Sequence, residues 1–441
     1  MAVIRPFRGI RYDRLRVQDL GAVVAQPYDR IGPELQDRYY AMHPANVVRL
    51  IKGRHGSSDG ETDNVYTRAR DAMGDWLQRG ILVREHTPAL YVLHQQFPLP
   101  TGETVTRKAL ICAFGLVPFE EGTVLPHERT LSGPKIDRLL LTRATNAYFG
   151  NIFMLYPDPE NRVNAILQSA IDRSPEIDIR ESYENDVRQM AWVVTDPGVV
   201  SAVAAEMAPK RNLIIADGHH RYETALNYQA EQQARFPNAL SDAAHNYAMV
   251  ALVSMSDPGL TILPTHRLIH SYHLRSSGEV MDRVRSYFTV DQLPDRSAME
   301  SQLHELRGQV GCLGAVTEDQ FYLLRLTGGA VMERLAPGRV QSWCELDVSI
   351  LHEVILEHVM GLTKESIERK ENIEYLREPD DGYAQVLAGR AQFLFLLNAT
   401  RMDQVIACTQ AGEKMPQKST DFYPKVITGL AFLPVGPEDR I

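Results

Sequence analysis

Apolar and polar positions along this chain follow two rhythms, and the change from one to the other marks its elements. Residues 190–194 (MAWVV) are a short apolar run that predicts a strand, and 197–208 carry a helical pattern. Residues 213–216 form a second strand-like run, a helix follows to about 235, and 246–254 (NYAMVALVS) predict a further strand. Together these make a β-α-β unit. Upstream, 89–97 and 104–116 read as paired strands joined by the turn PLPTGE. A helix is expected over 65–79, where Ala69, Ala72, Met73 and Trp76 share one face, and another over 33–42, which opens on Pro33. Strands are expected at 21–25 (GAVVA) and 46–52 (NVVRLIK), and a mobile loop at 53–63, which is polar and glycine-rich. Downstream, strands at 314–316 and 321–326 accompany helices at 281–287 and 298–306. Residues 348–359 (VSILHEVILEHV) predict an amphipathic helix, 392–397 a strand and 402–411 a helix.

This mixture predicts an α+β (mixed α/β) chain. Its 441 residues suit two or three domains. The expected division is a core over 1–270 with an insertion at about 53–190, a small α+β lobe over 271–345, and a segment over 346–441 returning to the core.

Composition narrows the class. Hydrophobic residues make up 44% and charged residues 23%, ordinary for a globular protein. A net charge of −9 argues against broad nucleic-acid binding, which normally brings a basic excess. Cys112, Cys312, Cys344 and Cys408 are far apart and form no CxxC pair, so a disulfide framework or zinc knuckle is not expected. The start, MAVIRPFRGIRYD, has no apolar core of a secretory signal, and no run of about 18 apolar residues offers a membrane span. A cytoplasmic protein without nucleic-acid or membrane partners is expected.

The chemistry concentrates in IIADGHHRYETA, residues 214–225. A strand ends at Asp217-Gly218, and His219, His220 and Arg221 open a helix. Helix N-termini present N–H groups and a partial positive charge, so an arginine and two imidazoles there make a seat for a phosphate-like anion. Asp217 beside it is a candidate metal ligand or proton acceptor. The plainer alternative is a helix start with Asp217 as its cap. Other polar clusters are HERT at 127–130 before a helix carrying Lys135, Asp137, Arg138 and Arg143, the group Thr265-His266-Arg267, and the proline-punctuated loop at 412–430 with Lys414, Lys418, Ser419, Thr420, Tyr423 and Lys425. His352 and His358 lack HExxH spacing and read as structural. GxGxxG and GxxxxGK[ST] are absent, and the single GxSxG, at 56–60, lies inside the polar loop.

Six blocks carry a resemblance: RPFRGIRYD (5–13), QPYDRI (26–31), HERTLSGPKIDR (127–138), ADGHHRYETA (216–225), SMSDPGLTILPTHR (254–267) and MPQKSTDFYPK (415–425). In this order they resemble a bacterial and archaeal family catalogued as a conserved domain of unknown function, number 1015. Gln26-Pro27 stands where that family usually has two prolines. The DGHHRY block also resembles the matching motif of free serine kinases built on the ParB/sulfiredoxin-like fold. There the turn after a strand binds phosphate. The resemblance implies a ParB/sulfiredoxin-like core and phosphoryl transfer to the hydroxyl of free L-serine, giving O-phosphoserine. The implied donor is pyrophosphate, ADP or ATP, with Mg²⁺.

On that reading Asp217, His220, Asp29 and Glu128 are the catalytic candidates, with Asp217 also a metal ligand. Gly218, His219 and Arg221 would hold the transferring phosphate. Arg8, His127, Arg129, Lys135, Arg138, His266, Arg267, Lys418, Ser419, Thr420 and Lys425 would surround the donor. All are expected to converge on the Asp217–Arg221 turn. A phosphohydrolase or nuclease using the same turn, and a non-catalytic nucleotide-binding switch, remain as alternatives.

Overall fold

The computed structural model describes the whole chain except residues 129–131, 185 and 319, and only the backbone of residues 132 and 134. The chain divides into two compact units. The first holds residues 1–126, 130–260 and 424–441, and the second holds 127–129 and 261–423. Both are mixtures of helices and mainly antiparallel sheet, the α+β class expected from the pattern.

The first unit is organised by a nine-stranded sheet. Its strands in chain order are β1 (Ile4–Arg5), β2 (Leu90–Pro98), β3 (Thr104–Gly115), β4 (Val124–Pro126), β5 (Ile152–Tyr156), β6 (Ile177–Arg180), β7 (Arg188–Val194), β8 (Leu213–Asp217) and β9 (Tyr247–Ser254). Their order across the sheet is β4-β8-β5-β9-β3-β2-β7-β6, with β1 paired to β3. β8 runs parallel to β4 and antiparallel to β5, and β9 runs parallel to β5. Every residue of β9 is buried, which explains its near-continuous apolar run. The core joins Leu110, Cys112, Met154, Ile215 and Val250 of the sheet to Val163, Leu167, Val203, Met207, Tyr222 and Ala225 of three helices. Those helices are Arg162–Gln168, Pro197–Met207 and His219–Arg235.

Two predicted strands of this unit are helical turns instead. Residues 21–25 contribute to the 3₁₀ turn Leu20–Ala22, whose start is capped by Asp19 accepting from the Gly21 N–H at 2.9 Å. Residues 46–52 form the helical turn Val48–Ile51. The Asn46 side chain decides this: it donates to the carbonyls of Ala22 and Val24 and accepts from the Val48 N–H at 2.9 Å. A short apolar run is consistent with either state, and a local side-chain bond to the backbone chooses between them.

The second unit is built on a six-stranded sheet of β10 (His266–Ile269), β11 (Phe288–Leu293), β12 (Cys312–Thr317), β13 (Gln320–Leu326), β14 (Ile373–Leu376) and β15 (Phe393–Leu397), in the order β11-β13-β12-β15-β10-β14. Helices Arg296–Glu305 and Asp380–Leu387 supply Met299, Leu303, Tyr383 and Val386 to its core. The amphipathic stretch forms a helical turn, Asp347–Ile350, that continues as a π-helix, Leu351–Val359. Among the described residues no helix is long and apolar enough to cross a membrane.

Candidate functional site

In the first unit β8 stops at Asp217, and Gly218 turns the chain at φ +95° and ψ 29° before the 17-residue helix His219–Arg235 begins. Only glycine takes that left-handed position without strain. A Cβ there would also lie 3.0 Å from Cζ and Nε of Arg221. Gly218 therefore lets the guanidinium fold back over the turn. Arg221 donates to Oδ2 of Asp217 and to the carbonyl of Asn151 on the neighbouring loop. Lys425 Nζ lies 3.6 Å from Oδ1 of the same carboxylate. The strand end, the helix start and the C-terminal lysine loop thus meet at one aspartate.

Asp29 belongs to the same cluster. Its charge acts on Arg221, on His220 and on Tyr28. Burial works against the Arg221 charge, but Asp217, Asp29 and Tyr28 more than restore it, and the guanidinium is held above its ordinary value. Burial pushes the half-buried His220 imidazole down. Glu223 and Asp29 oppose that shift, and Lys135 and Arg221 add to it. Burial, with Asp29, pushes the Tyr28 hydroxyl up to about 12. Asp29 itself is exposed, and no hydrogen bond or ion pair engages it among the described residues.

Lys135 and Arg138 arrive on the helix Ser132–Thr145. Lys135 pairs with Glu223 at 2.7 Å, and Arg138 stacks over the Tyr28 ring at 3.9 Å while its Nε donates to Asp137 at 2.8 Å. Asp137 also accepts from the Tyr66 hydroxyl at 2.9 Å. Lys135, Arg138 and Arg143 all make close ion pairs, two of them, Lys135–Glu223 and Arg143–Glu231, across to the helix His219–Arg235. Arg8 is exposed and is joined to the cluster by no hydrogen bond or ion pair among the described residues.

The remaining expected donor ligands belong to the second unit and form a group of their own. His127 is buried and meets Oγ1 of Thr420 at 2.8 Å through Nε2, with Glu128 at 3.7 Å. Arg267 is buried. It donates to the carbonyls of Gln417 at 3.2 Å and Lys418 at 3.0 Å, and to that of Thr265. Burial pushes its guanidinium down to about 10, partly offset by Tyr375 and Glu128. His266 accepts from the Leu397 N–H at 3.3 Å, and burial, then Arg267, holds its pKa at about 4. Ser419 Oγ donates to the Pro416 carbonyl at 2.6 Å, while Lys418 is exposed at φ +57°. Arg267, Ser419 and His266 thus use their polar atoms to hold backbone, chiefly that of residues 416–418. Arg129 and Thr130 lie outside the described residues.

A family model described as "Protein of unknown function (DUF1015)" matches residues 4–349. The chain belongs to the DUF1015 family. No curated protein matches the sequence. Among solved structures, this DUF1015 chain is similar to a conserved hypothetical protein from Pyrococcus furiosus, at 13% identity and a TM-score of 0.32, covering 73% of this chain and 95% of that one. It is similar to a free serine kinase in complex with AMP, at 14% identity and a TM-score of 0.34, covering 73% and 92%. It is also similar to SbnI with a C-terminal truncation from Staphylococcus aureus, at 10% identity and a TM-score of 0.34, covering 74% and 87%.

The donor set of the DUF1015 turn does not fit a resident metal. Both oxygens of Asp217 face cations, Arg221 and Lys425, and among the described residues no three His, Cys, Asp or Glu side chains are grouped to hold an ion. In this structure Asp217 is the ion-pair partner of Arg221 and Lys425. Tyr28, Asn151 and Glu223 are site members that sequence reasoning did not select. Tyr28 lay in the QPYDRI block, but a carbonyl acceptor such as that of Asn151 leaves no mark in side-chain chemistry.

Proposed function

We propose that the Asp217–Arg221 turn is a phosphoryl-transfer site and that the protein phosphorylates the hydroxyl of free L-serine, giving O-phosphoserine. The supporting observation is the Arg221 guanidinium and Lys425 gathered on Asp217 at a helix N-terminus, within reach of the charge of Asp29. The resemblance of that segment to the phosphate-binding turn of ParB/sulfiredoxin-like serine kinases points the same way.

Phosphoryl transfer asks for cationic stabilisation of the moving group and for a base that orients the acceptor. Arg221, with the first-turn N–H groups and His219, supplies the first. Asp217 holds Arg221 in place. Asp29, exposed and with its charge acting on Arg221 and His220, is the acceptor base. The serine Oγ attacks the terminal phosphorus, its proton passes to Asp29, and the bridging P–O bond breaks to release the rest of the donor.

The test is to incubate the protein with L-serine, Mg²⁺ and ATP, ADP or pyrophosphate and to measure O-phosphoserine. Asp29→Asn is expected to lower turnover by about 10²-fold or more, the usual scale for a lost general base. Phosphate release that proceeds equally without serine would replace the kinase by a phosphohydrolase. Binding of a nucleotide without consumption would leave the switch reading.

A further inference from the structure

Three polar side chains lie fully buried in one row across the first unit's sheet. Gln189 on β7, Gln95 on β2 and Arg107 on β3 are at most 1% exposed. Gln189 is the direct cross-strand partner of Gln95, and Gln95 of Arg107, so all three point to the same face. Burying such groups is costly unless their bonding is satisfied. Leucines would fill the row more cheaply, so its bonds call for an explanation.

The row ends on the backbone that carries Lys425. Gln95 Nε2 donates to the Lys425 carbonyl at 3.0 Å, and Arg107 donates to the Pro424 carbonyl and to Oε1 of Gln95. The same guanidinium lies 4.5 Å from the ring centroid of Phe153 on β5, and Phe153 is the strand partner of Asp217. Arg107 thus touches both sides of the Lys425–Asp217 pair, through Pro424 on one side and Phe153 on the other. The SMSDPG block braces it from behind. A Cβ on Gly259 would lie 2.4 Å from the Thr106 carbonyl carbon and 2.5 Å from the Arg107 nitrogen, so only glycine lets that turn seat on β3.

We infer that Gln95 and Arg107 are positioning residues that hold Lys425 against Asp217, making a buried row of the sheet part of the phosphate-site machinery. The geometry stands independently. Only the catalytic consequence rests on the phosphoryl-transfer reading.

The experiment measures how fast Lys425 is modified by an amine reagent in the full-length protein, by quantitative mass spectrometry, with exposed Lys370 as internal reference. In the native protein Lys425, only 13% exposed, is expected to react slowly. Gln95→Leu should speed it about tenfold relative to Lys370, the factor that about 1.4 kcal/mol of lost bonding makes in a local opening equilibrium. Gln95→Glu keeps an acceptor for Arg107 but loses the donor to Lys425, and it serves if the leucine variant does not fold. Ile111→Val, which loosens β3 outside the row, should leave the Lys425 rate unchanged. Unchanged labelling in folded Gln95 variants overturns the inference, as does an equal rise in Ile111→Val. If the native protein makes O-phosphoserine, Gln95→Leu should lower kcat with little change in KM for serine. If it makes none, the kinase reading fails, and the labelling still decides the positioning role.

Discussion

Replacing Gly218 by alanine tests the central turn most directly. Two costs are expected. A residue with a Cβ at φ +95° pays about 1–2 kcal/mol for the left-handed conformation. The new methyl also meets Cζ and Nε of Arg221 at 3.0 Å. That guanidinium has little room to yield, since Asp217 and the Asn151 carbonyl hold it, and overpacking of this kind adds about 1–3 kcal/mol. Gly102, at φ +85° with nothing within 4 Å of the place a methyl would take, supplies the control. Gly102→Ala carries the backbone cost alone. Urea unfolding followed by the fluorescence of the buried Trp76 and Trp192, in a Trp343→Phe background, reports on the first unit. Pyrophosphate binding, measured by calorimetry in the same variants, reports on the site. Gly218→Ala should lose about 1–3 kcal/mol more than Gly102→Ala and should bind pyrophosphate more weakly, while Gly102→Ala binds it normally. Equal losses of stability and equal binding in the two variants would refute the argument that Gly218 makes room for Arg221.

Arg221→Lys keeps the charge but loses the planar fork, and pyrophosphate affinity should fall about tenfold or more; calorimetry showing native affinity would remove Arg221 from the anion site. His352 is buried beside Arg267, and burial holds its pKa at about 3, against 6.5 when exposed. The unfolded chain then binds the extra proton, so this contribution to stability is intact above pH 6.5 and is lost as pH falls toward 3. The stability gap between the native protein and His352→Met should therefore shift by about 2 kcal/mol in favour of the variant between about pH 7 and about pH 5. Urea midpoints that move in parallel would show that His352 takes up its proton freely in the fold. Gly259→Ala should cost about 1–3 kcal/mol in the first unit, read by the same tryptophans, because backbone of β3 must move to admit the methyl.

Much of the local structure was legible because the residues that make it are close in sequence. The paired strands of β2 and β3, the helix over Val65–Gln78, and the strand–turn–helix at Leu213–Arg235 all follow from periodicity and one glycine. The turns at Leu20–Ala22 and Val48–Ile51 carry strand-like patterns, yet Asn46 settles both by bonds to Ala22, Val24 and Val48 that no apolar pattern records. Within the site, Asp217, His220 and Arg221 were visible as a crowded polar turn. That Asp217 spends its oxygens on Arg221 and Lys425 was not.

By itself, then, the sequence determined the α+β class, the position of the polar turn at Asp217–Arg221 and the side chains available to it, because these depend on local periodicity, on glycine's backbone freedom and on chemical type. Tertiary structure alone decided which distant groups share that turn. It brought Asn151 and the charge of Asp29 to Arg221 and Lys425 to Asp217, and it turned Gln95 and Arg107 from unremarked strand positions into the support beneath Lys425. It also set His127, Glu128, His266, Arg267 and residues 418–420 in the second unit. The physical reason is that charge and hydrogen bonding act over a few ångströms in space, and strand order across a sheet, not distance along the chain, sets which residues come within that reach.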